Sequence, residues 1–281
     1  MKILTSGSRL DIPAEIMQNF DGIVAGYLWN LWDSPNPNEI AKKYGKTLIR
    51  SHFLYGNQHQ KPDPASKTTT IVEWIERRLR NAAYVNEWVL VNEFLNDKDN
   101  YNPYLGYDYE NLKRYYLTAN KVNPNAQLLI GDFRCHQIKR WEKIAFICRE
   151  LIRENVPLHG VGIQVHFKTS NAYSLIPGVP YVLDALPTVI KLFEGILPVH
   201  LIEVSCWHHY SESPEKITPL WDKLLRIAED HNIASICPWW LNETDEGHPR
   251  SMPTFEEFKG AGVYDKNWNL RLKLPNINSD I

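Results

Sequence analysis

The chain alternates between short apolar runs typical of buried strands and longer stretches whose apolar residues recur at helical spacing. Eight strand-like runs occur without a long linker or a break in composition between them. This alternation predicts parallel strands joined by helices. A doubly wound sheet would normally carry a Gly-x-Gly-x-x-Gly turn after an early strand, and the sequence has none. We therefore favour an α/β fold with a single (β/α)8 TIM barrel that forms one domain over residues 1–281.

Local patterns place the elements of this barrel. The predicted strands cover residues 2–4, 22–28, 46–55, 88–93, 127–133, 160–167, 199–206 and 233–241. The predicted helices cover residues 11–20, 36 or 38 to 43, 68–83, 108–120, 138–155, 180–195, 214–230 and 255–258. In the helix over 138–155, helical spacing predicts an inward face made of Trp141, Ile144, Ala145, Cys148 and Ile152.

Charge and composition exclude several classes of protein. The net charge of −2 gives no basic field for nucleic acid, and the longest apolar runs fall short of a membrane span. The apolar run near the N-terminus is too short for a signal peptide, so we expect a cytoplasmic protein unless a leader was removed. The chain holds 10 Trp and 14 Tyr, which suit a groove that stacks on sugar rings, although many of them can equally belong to the core.

Polar and aromatic residues collect where the predicted strands end. Active sites of such barrels lie at the carboxyl ends of the strands. The residues at these ends are Trp29 and Asn30, His52 to Asn57, Asn92 and Glu93, Asp132, Gln164 and His166, Glu203, and Trp239 and Trp240. The strand interiors are apolar, so this distribution predicts a site at one end of the barrel.

Glu93 and Glu203 form the most informative pair, at the ends of the fourth and seventh strands. A carboxylate is costly to bury at the end of an apolar strand unless it is paired or used. Two such groups facing each other across the barrel suit glycoside hydrolysis, in which one protonates the leaving oxygen and the other attacks or activates water. Either glutamate alone is more often a salt-bridge or helix-capping residue.

Gln164 and His166 lie two residues apart on one strand and therefore point to the same face. We expect His166 to donate to Glu203 and Gln164 to donate towards Glu93, while Asn92 can bind a sugar hydroxyl. Each also has an ordinary structural interpretation, as a core hydrogen-bonding residue. The same holds for His52 as a supporting residue, for Trp239 and Trp240 as packing residues, and for Asp132, which we interpret as structural.

Two other chemistries fit less well. Glu203, His208 and His209 cluster in the sequence, but their spacing matches no known metal-ligand pattern. A Schiff-base aldolase needs a lysine at the site, and no lysine ends a predicted strand. We expect no metal and no organic cofactor.

Short motifs resemble those of family 10 glycoside hydrolases, mainly endo-β-1,4-xylanases, along residues 20–270. Residues 88–93 (WVLVNE) resemble the family's W-D-V-V-N-E, and residues 201–203 (LIE) resemble its I-T-E-L-D strand. Residues 162–166 (GIQVH) are similar to G-x-Q-x-H, and residues 50–52 (RSH) are similar to R-G-H. Trp239 stands where the family has the tryptophan of W-G-x-x-D. The order and spacing of these motifs agree along the chain.

The resemblance implies a retaining hydrolase of xylan-type β-1,4 linkages, with a β-linked polysaccharide or oligosaccharide as its partner. It implies that Glu93 is the acid/base and Glu203 the nucleophile. Asn92 would bind the 2-hydroxyl, and Gln164 and His166 would support the two carboxylates. His52 and Trp239 would line the subsite of the reacting sugar.

The departures from the family concern the residues that hold the substrate. Asn57, after Tyr55 and Gly56, stands where the family has a second histidine, and residues 29–32 (WNLW) replace a segment that carries a lysine. Val204 and Ser205 replace the family's Leu-Asp after the nucleophile. Two alternatives therefore stay open: a hydrolase of the same clan acting on another β-glycan or a small β-glycoside, and a carbohydrate-binding barrel without activity.

Overall fold

Eight parallel strands close into a barrel in the computed structural model, which describes residues 1–6, 13–25, 37–55, 70–96, 98–102, 106–168, 179–207 and 214–239. Each strand pairs with the next along the chain, and β8 returns to β1 through the register Lys2–Ser235 and Ile3–Ile236. The strands are β1 (Lys2–Ser6), β2 (Gly22–Ala25), β3 (Leu48–Tyr55), β4 (Glu87–Asn92), β5 (Gln127–Asp132), β6 (Gly160–Lys168), β7 (Val199–Trp207) and β8 (Ser235–Pro238). The predicted (β/α)8 fold is confirmed.

Helices follow the strands. They are α1 (Ala14–Met17), α2 (Pro37–Lys43), α3 (Ile71–Asn81), α4 (Tyr109–Val122), α5 (Ile138–Arg153), α6 (Val179–Leu183), α7 (Leu186–Lys191) and α8 (Pro214–Asp230). Thr70 caps α3 and forms a capping box with Glu73, while Asp108 caps α4 through the amide of Asn111. None of the described helices is long and apolar enough to cross a membrane.

The helices differ from the predictions in two details. The stretch 180–195 is two helices rather than one, because Pro187 near the start of α7 has no N–H to continue the hydrogen-bond ladder of α6. On α5 the buried face includes Leu151 but not Ile152, whose side chain is 36% exposed. Both residues stand at helical spacing from Cys148, so periodicity alone could not choose between them. The predicted helix over 255–258, the predicted cap Asp11 and the ends of the second and eighth predicted strands lie outside the described residues.

Apolar side chains fill two separate layers. A large cluster joins the outer faces of the strands to the helices, and it includes Trp88, Trp141 and Trp221. Two small clusters contain only strand residues, as expected for side chains inside a barrel. They are Leu4, Val24 and Cys237, and Val89, Leu129 and Ile202.

A buried ionic network fills the barrel near the amino ends of the strands. Arg50 is fully buried on β3, and its Nη2 donates to Glu87 Oε2 and Ser235 Oγ, each at 2.8 Å. The same nitrogen lies 2.8 Å from His200 Nδ1. A buried guanidinium is tolerable only when its charge is paired, and Glu87 supplies that pairing. The candidate site lies at the opposite end of the barrel, towards the carboxyl ends of the strands.

Candidate active site

Glu93 lies immediately after β4 and has a left-handed backbone conformation, with φ of 55°. We predicted it as the last residue of the strand; the strand ends instead at Asn92. Its N–H donates to the carbonyl of Gly131 on β5 at 3.0 Å, so it is still tied to the barrel. A positive φ is costly for a residue other than glycine and persists only where the surroundings enforce it. The turn directs the carboxyl of Glu93 to the mouth of the barrel, where it meets Gln164.

The Glu93 carboxyl favours its protonated form. Burial and the neighbouring Glu203 carboxylate raise the pKa of Glu93 from 4.5 to about 8, and a hydrogen bond from Gln164 opposes this rise only in part. Burial acts by depriving the charged form of water, and Glu203 acts by like-charge repulsion. A carboxyl with such a pKa holds a proton at neutral pH and can donate it, as a general acid must.

Glu203 lies within β7 and has the opposite character. Its side chain is 5% exposed, and Oε1 accepts a contact of 3.0 Å from His52 Nδ1. His166 Nε2 lies 3.7 Å from Oε2. Burial alone would raise the pKa of Glu203, but the donors on His166 and His52 outweigh it and hold the pKa at about 2. Glu203 is therefore an ionised carboxylate throughout the neutral range.

Gln164 connects the two carboxylates. It lies opposite Glu203 in the β6–β7 ladder, and its Nε2 donates to Glu93 Oε1 at 2.9 Å and to Glu203 Oε1 at 3.3 Å. Since both oxygens contact one nitrogen, they lie at most about 6 Å apart, below the roughly 6.5–9.5 Å found in inverting glycosidases. Two carboxyl groups this close leave little room for a water between them.

His166 fixes the orientation of this amide. Its Nε2 lies 3.2 Å from Gln164 Oε1, and its Nδ1 lies 2.5 Å from Ser205 Oγ. Gln164 Oε1 can only accept a hydrogen bond, so this contact requires a proton on His166 Nε2. The amide nitrogen of Gln164 is thereby directed towards the carboxylates. The expected hydrogen bond from Gln164 to Glu93 is present. His166 lies beside Glu203 as expected, but its Nε2 is 3.7 Å from Oε2, which is too far for a hydrogen bond.

Asn92 and Trp239 complete the described part of the site. Asn92 Nδ2 donates to Glu203 Oε1 at 3.4 Å, and its buried Oδ1 has no hydrogen-bond partner among the described residues. Gly131 is needed here, because a Cβ at that position would lie 2.6 Å from this oxygen. Trp239 is partly exposed and stacks on His52, with ring centroids 5.5 Å apart. His52 is only 1% exposed and lies behind Glu203.

The other predicted site residues are not all open to comparison. Trp29, Asn30, Asn57 and Trp240 lie outside the described residues, as do His208 and His209 of the alternative metal cluster. Within the described ranges, no three His, Cys, Asp or Glu residues come together as a metal site. The expectation that no lysine ends a strand was wrong, because β6 extends to Lys168.

Sequence reasoning missed Arg140, which lies on α5 behind the site and pairs with Asp132 at 2.6 Å. Asp132 is fully buried, and burial raises its pKa to about 6 despite the opposing charge of Arg140. The sequence did carry a signal. Arg140 stands four residues before Ile144 and therefore shares the buried face of α5. A basic residue on such a face must have a buried partner.

The sequence matches a known family and several relatives. The family described as Glycosyl hydrolase family 10 matches residues 39–246, well over half of the chain. The beta-1,4-xylanase of Dictyoglomus thermophilum is 33% identical over 155 residues, which are 52% of this chain and 41% of that protein. The endo-1,4-beta-xylanase B of Neocallimastix patriciarum is 26% identical over 159 residues, 50% of this chain and 18% of that protein. The chain thus spans less than half the length of either relative.

A solved structure of a xylanase shares this fold. The crystal structure of xylanase 10B from Thermotoga petrophila RKU-1 in complex with xylobiose superimposes with a TM-score of 0.73 at 16% identity, covering 96% of this chain and 90% of that chain. At this identity the likeness concerns the barrel alone. The match of the family over most of the sequence makes the assignment: this chain belongs to glycosyl hydrolase family 10.

Proposed function

We propose that the protein is a retaining β-glycoside hydrolase that cleaves β-1,4 linkages of xylan-type polysaccharides. The observation that carries the proposal is geometric: two carboxyls at the mouth of the barrel share one hydrogen-bond donor, Gln164 Nε2. Their surroundings also separate their pKa values, raising that of Glu93 to about 8 and lowering that of Glu203 to about 2. Carboxyl pairs whose environments separate their pKa values in this way divide the roles of acid and nucleophile between them.

In the first step, Glu93 transfers its proton to the glycosidic oxygen while Glu203 attacks the anomeric carbon. The bond between that carbon and the oxygen breaks, and the sugar becomes an ester of Glu203. Glu203 needs no deprotonation beforehand, because its pKa of about 2 keeps it ionised. Asn92, whose Nδ2 donates to Glu203 Oε1, lies on the side of the hydroxyl adjacent to the reacting carbon.

In the second step, Glu93 acts as a base towards water, and the ester carbon is attacked from the side that the leaving group vacated. The charge of Glu203 disappears when the ester forms. That charge is one cause of the raised pKa of Glu93, so its loss lowers the pKa of Glu93 when a base is required. The repulsion from Glu203 therefore keeps Glu93 protonated for the first step, and its loss lets Glu93 act as a base in the second.

The spacing of the carboxyls supports retention of configuration. Retaining glycosidases place the two groups roughly 5–5.5 Å apart, which is within the limit set by their shared bonds to Gln164. NMR of the first product released from a β-linked substrate tests this directly. We expect the β-anomer, and initial release of the α-anomer would contradict the mechanism.

The substrate is the part that rests on relatives rather than on described contacts. Curated relatives of this chain bear the names of xylanases, and a structural neighbour was solved with xylobiose. We expect products from xylan and hydrolysis of aryl β-xylosides. If the protein hydrolysed aryl β-glucosides but neither xylosides nor xylan, we would conclude that its substrate is another β-glycan.

A binding barrel without activity would give another result. In that case the parent protein binds xylan oligosaccharides but releases no product, and Glu203→Gln changes nothing in turnover. The matched control is Glu110→Gln, at an exposed position on α4, which should preserve full activity.

A further inference from the structure

Arg140 on α5 is fully buried, and all five of its N–H groups are used. Nε and Nη2 donate to Asp132 Oδ1 at 3.0 and 2.6 Å. Nη2 also donates to the carbonyl of Leu95 at 2.9 Å, and Nη1 donates to the carbonyl of Asn96 at 2.9 Å and to Asp99 Oδ1 at 2.8 Å. A side chain this fully committed fixes the groups around it.

Those groups lie on both sides of Glu93. Leu95 and Asn96 follow Glu93 by two and three residues, so Arg140 holds the segment that leaves the carboxyl. Asp132 follows Gly131, whose carbonyl accepts the N–H of Glu93, so Arg140 also holds the strand on which Glu93 rests. One guanidinium thus joins the two backbone segments that enforce the left-handed conformation of Glu93.

The segment after Glu93 is further closed on itself. The N–H of Asn102 donates to the carbonyl of Phe94 at 2.8 Å, and the N–H of Asn96 donates to the carbonyl of Asn100 at 2.7 Å. Lys143, one turn after Arg140 on α5, donates to the carbonyl of Asp99. The guanidinium carbon of Arg140 also lies 4.8 Å from the centre of the Phe133 ring. This segment is therefore docked on α5 chiefly through Arg140.

We propose that Arg140 is a positioning residue for the acid/base step: by clamping residues 95, 96 and 132, it holds the Glu93 carboxyl where the leaving oxygen must receive its proton. The proposal rests on the proposed function. It is specific to one half of the mechanism, since no described hydrogen bond or ion pair joins Arg140 to Glu203 or to residues that contact Glu203. The charge of Asp132 raises the pKa of Glu93 and that of Arg140 lowers it, so the two charges together change this pKa little.

The test is Arg140→Lys, which keeps the positive charge but has three donors instead of five. The kcat/KM of aryl β-glycosides is measured over leaving groups of differing acidity, because this constant reports only steps up to departure of the phenol. A dinitrophenolate leaves without a proton, whereas an alkoxide or a methoxyphenolate requires one. We expect a fall of about 10- to 100-fold for the poor leaving groups and a change of less than about 3-fold for the dinitrophenyl substrate.

The control is Arg153→Lys on the same helix, at an exposed arginine paired with Glu150. Arg153→Lys should change kcat/KM neither for the poor leaving groups nor for the dinitrophenyl substrate. An equal fall in all substrates with Arg140→Lys, or no fall in any, overturns the positioning role while leaving the proposed function intact. A parent protein that hydrolyses no glycoside overturns the proposed function and this inference with it.

A second variant covers the case in which Arg140→Lys does not fold. Asp132→Asn preserves shape and leaves Arg140 its three bonds to Leu95, Asn96 and Asp99. The clamp then loses its charged link to β5, and we expect the same selective loss on poor leaving groups, reduced to about 3- to 10-fold. A uniform loss over the whole series, or none, contradicts the proposal.

Discussion

Glu93 and Glu203 are both glutamates at the same end of the barrel, but the hydrogen-bond donors around their carboxyls differ. Glu93 follows its strand in a strained turn and receives one described side-chain hydrogen bond, from Gln164. Glu203 lies inside its strand, among donors from β3, β4 and β6. Donors outweigh burial at Glu203, and burial outweighs donors at Glu93. The number of donors around a buried carboxyl, more than burial itself, decides whether it serves as acid or nucleophile.

The most severe way to break this contrast is Glu203→Ala. It removes the group that forms the ester, so we expect kcat on xylan to fall by roughly 10⁵-fold or more. Added azide can occupy the vacant space and attack the anomeric carbon from the same face. We expect the rescued product to be the α-glycosyl azide, identified by NMR. Formation of the β-azide would mean that Glu203 is not the nucleophile.

Glu93→Gln removes the acid but leaves the nucleophile in place. We expect a loss of about 10²- to 10⁴-fold in kcat/KM on unactivated substrates, and a much smaller loss on dinitrophenyl glycosides. The parent must keep Glu93 protonated, so its kcat/KM should decline as pH rises through about 8. This alkaline decline should vanish in Glu93→Gln. Its persistence would assign it to another group.

His52→Phe sharpens the other half of the contrast. It removes the donor to Glu203 but keeps a ring against Trp239. Losing that donor raises the pKa of Glu203, so we expect the acidic limb of kcat/KM to move to higher pH, with about 10-fold lower activity at neutral pH. His231→Phe, at a histidine paired with Glu194 away from the strand ends, is the matched control and should leave the profile unmoved.

The smallest effect is on stability, and its sign should differ between the two glutamates. The raised pKa of Glu93 makes the folded state less stable as pH rises from 4.5 towards 8, because the unfolded chain ionises first. Glu93→Gln should therefore raise the free energy of unfolding at pH 8, by on the order of 1–3 kcal/mol.

The lowered pKa of Glu203 stabilises the fold above pH 4.5, and this stability is lost as pH falls through about 2. Glu203→Gln should accordingly lower the free energy of unfolding at pH 5, where Glu93 is protonated, by a similar amount. Denaturant unfolding of both variants beside Glu110→Gln measures this. A change of the same sign in both would contradict the opposed environments.

Much of this architecture could be predicted from the sequence because apolar periodicity is a strong local signal. The strand around Val89 is buried along its length, and β6 places Gln164 and His166 on one face as period-two alternation requires. The pairing of Glu93 with Glu203 followed from strand ends meeting at one edge of the barrel. These features depend only on the direction in which a strand presents its side chains.

Other features could not be predicted, because they depend on contacts distant in sequence. The left-handed turn at Glu93 is enforced by Gly131 and Arg140, which lie 38 and 47 residues away. The low pKa of Glu203 depends on His52 from β3 and His166 from β6. Helical spacing could have marked Arg140 as buried, but only the fold shows that it holds the segment after Glu93.

The central claim is that one glutamate of the pair is protonated and the other ionised at neutral pH. Titration of the side-chain carboxyls by ¹³C NMR, with glutamate labelled at Cδ, tests it most directly. We expect one resonance that titrates near pH 8 and is absent from Glu93→Gln, and one that stays ionised down to about pH 2 and is absent from Glu203→Gln. Two resonances that both titrate at the ordinary value of a glutamate, about 4.3, would contradict the division of roles proposed for this site.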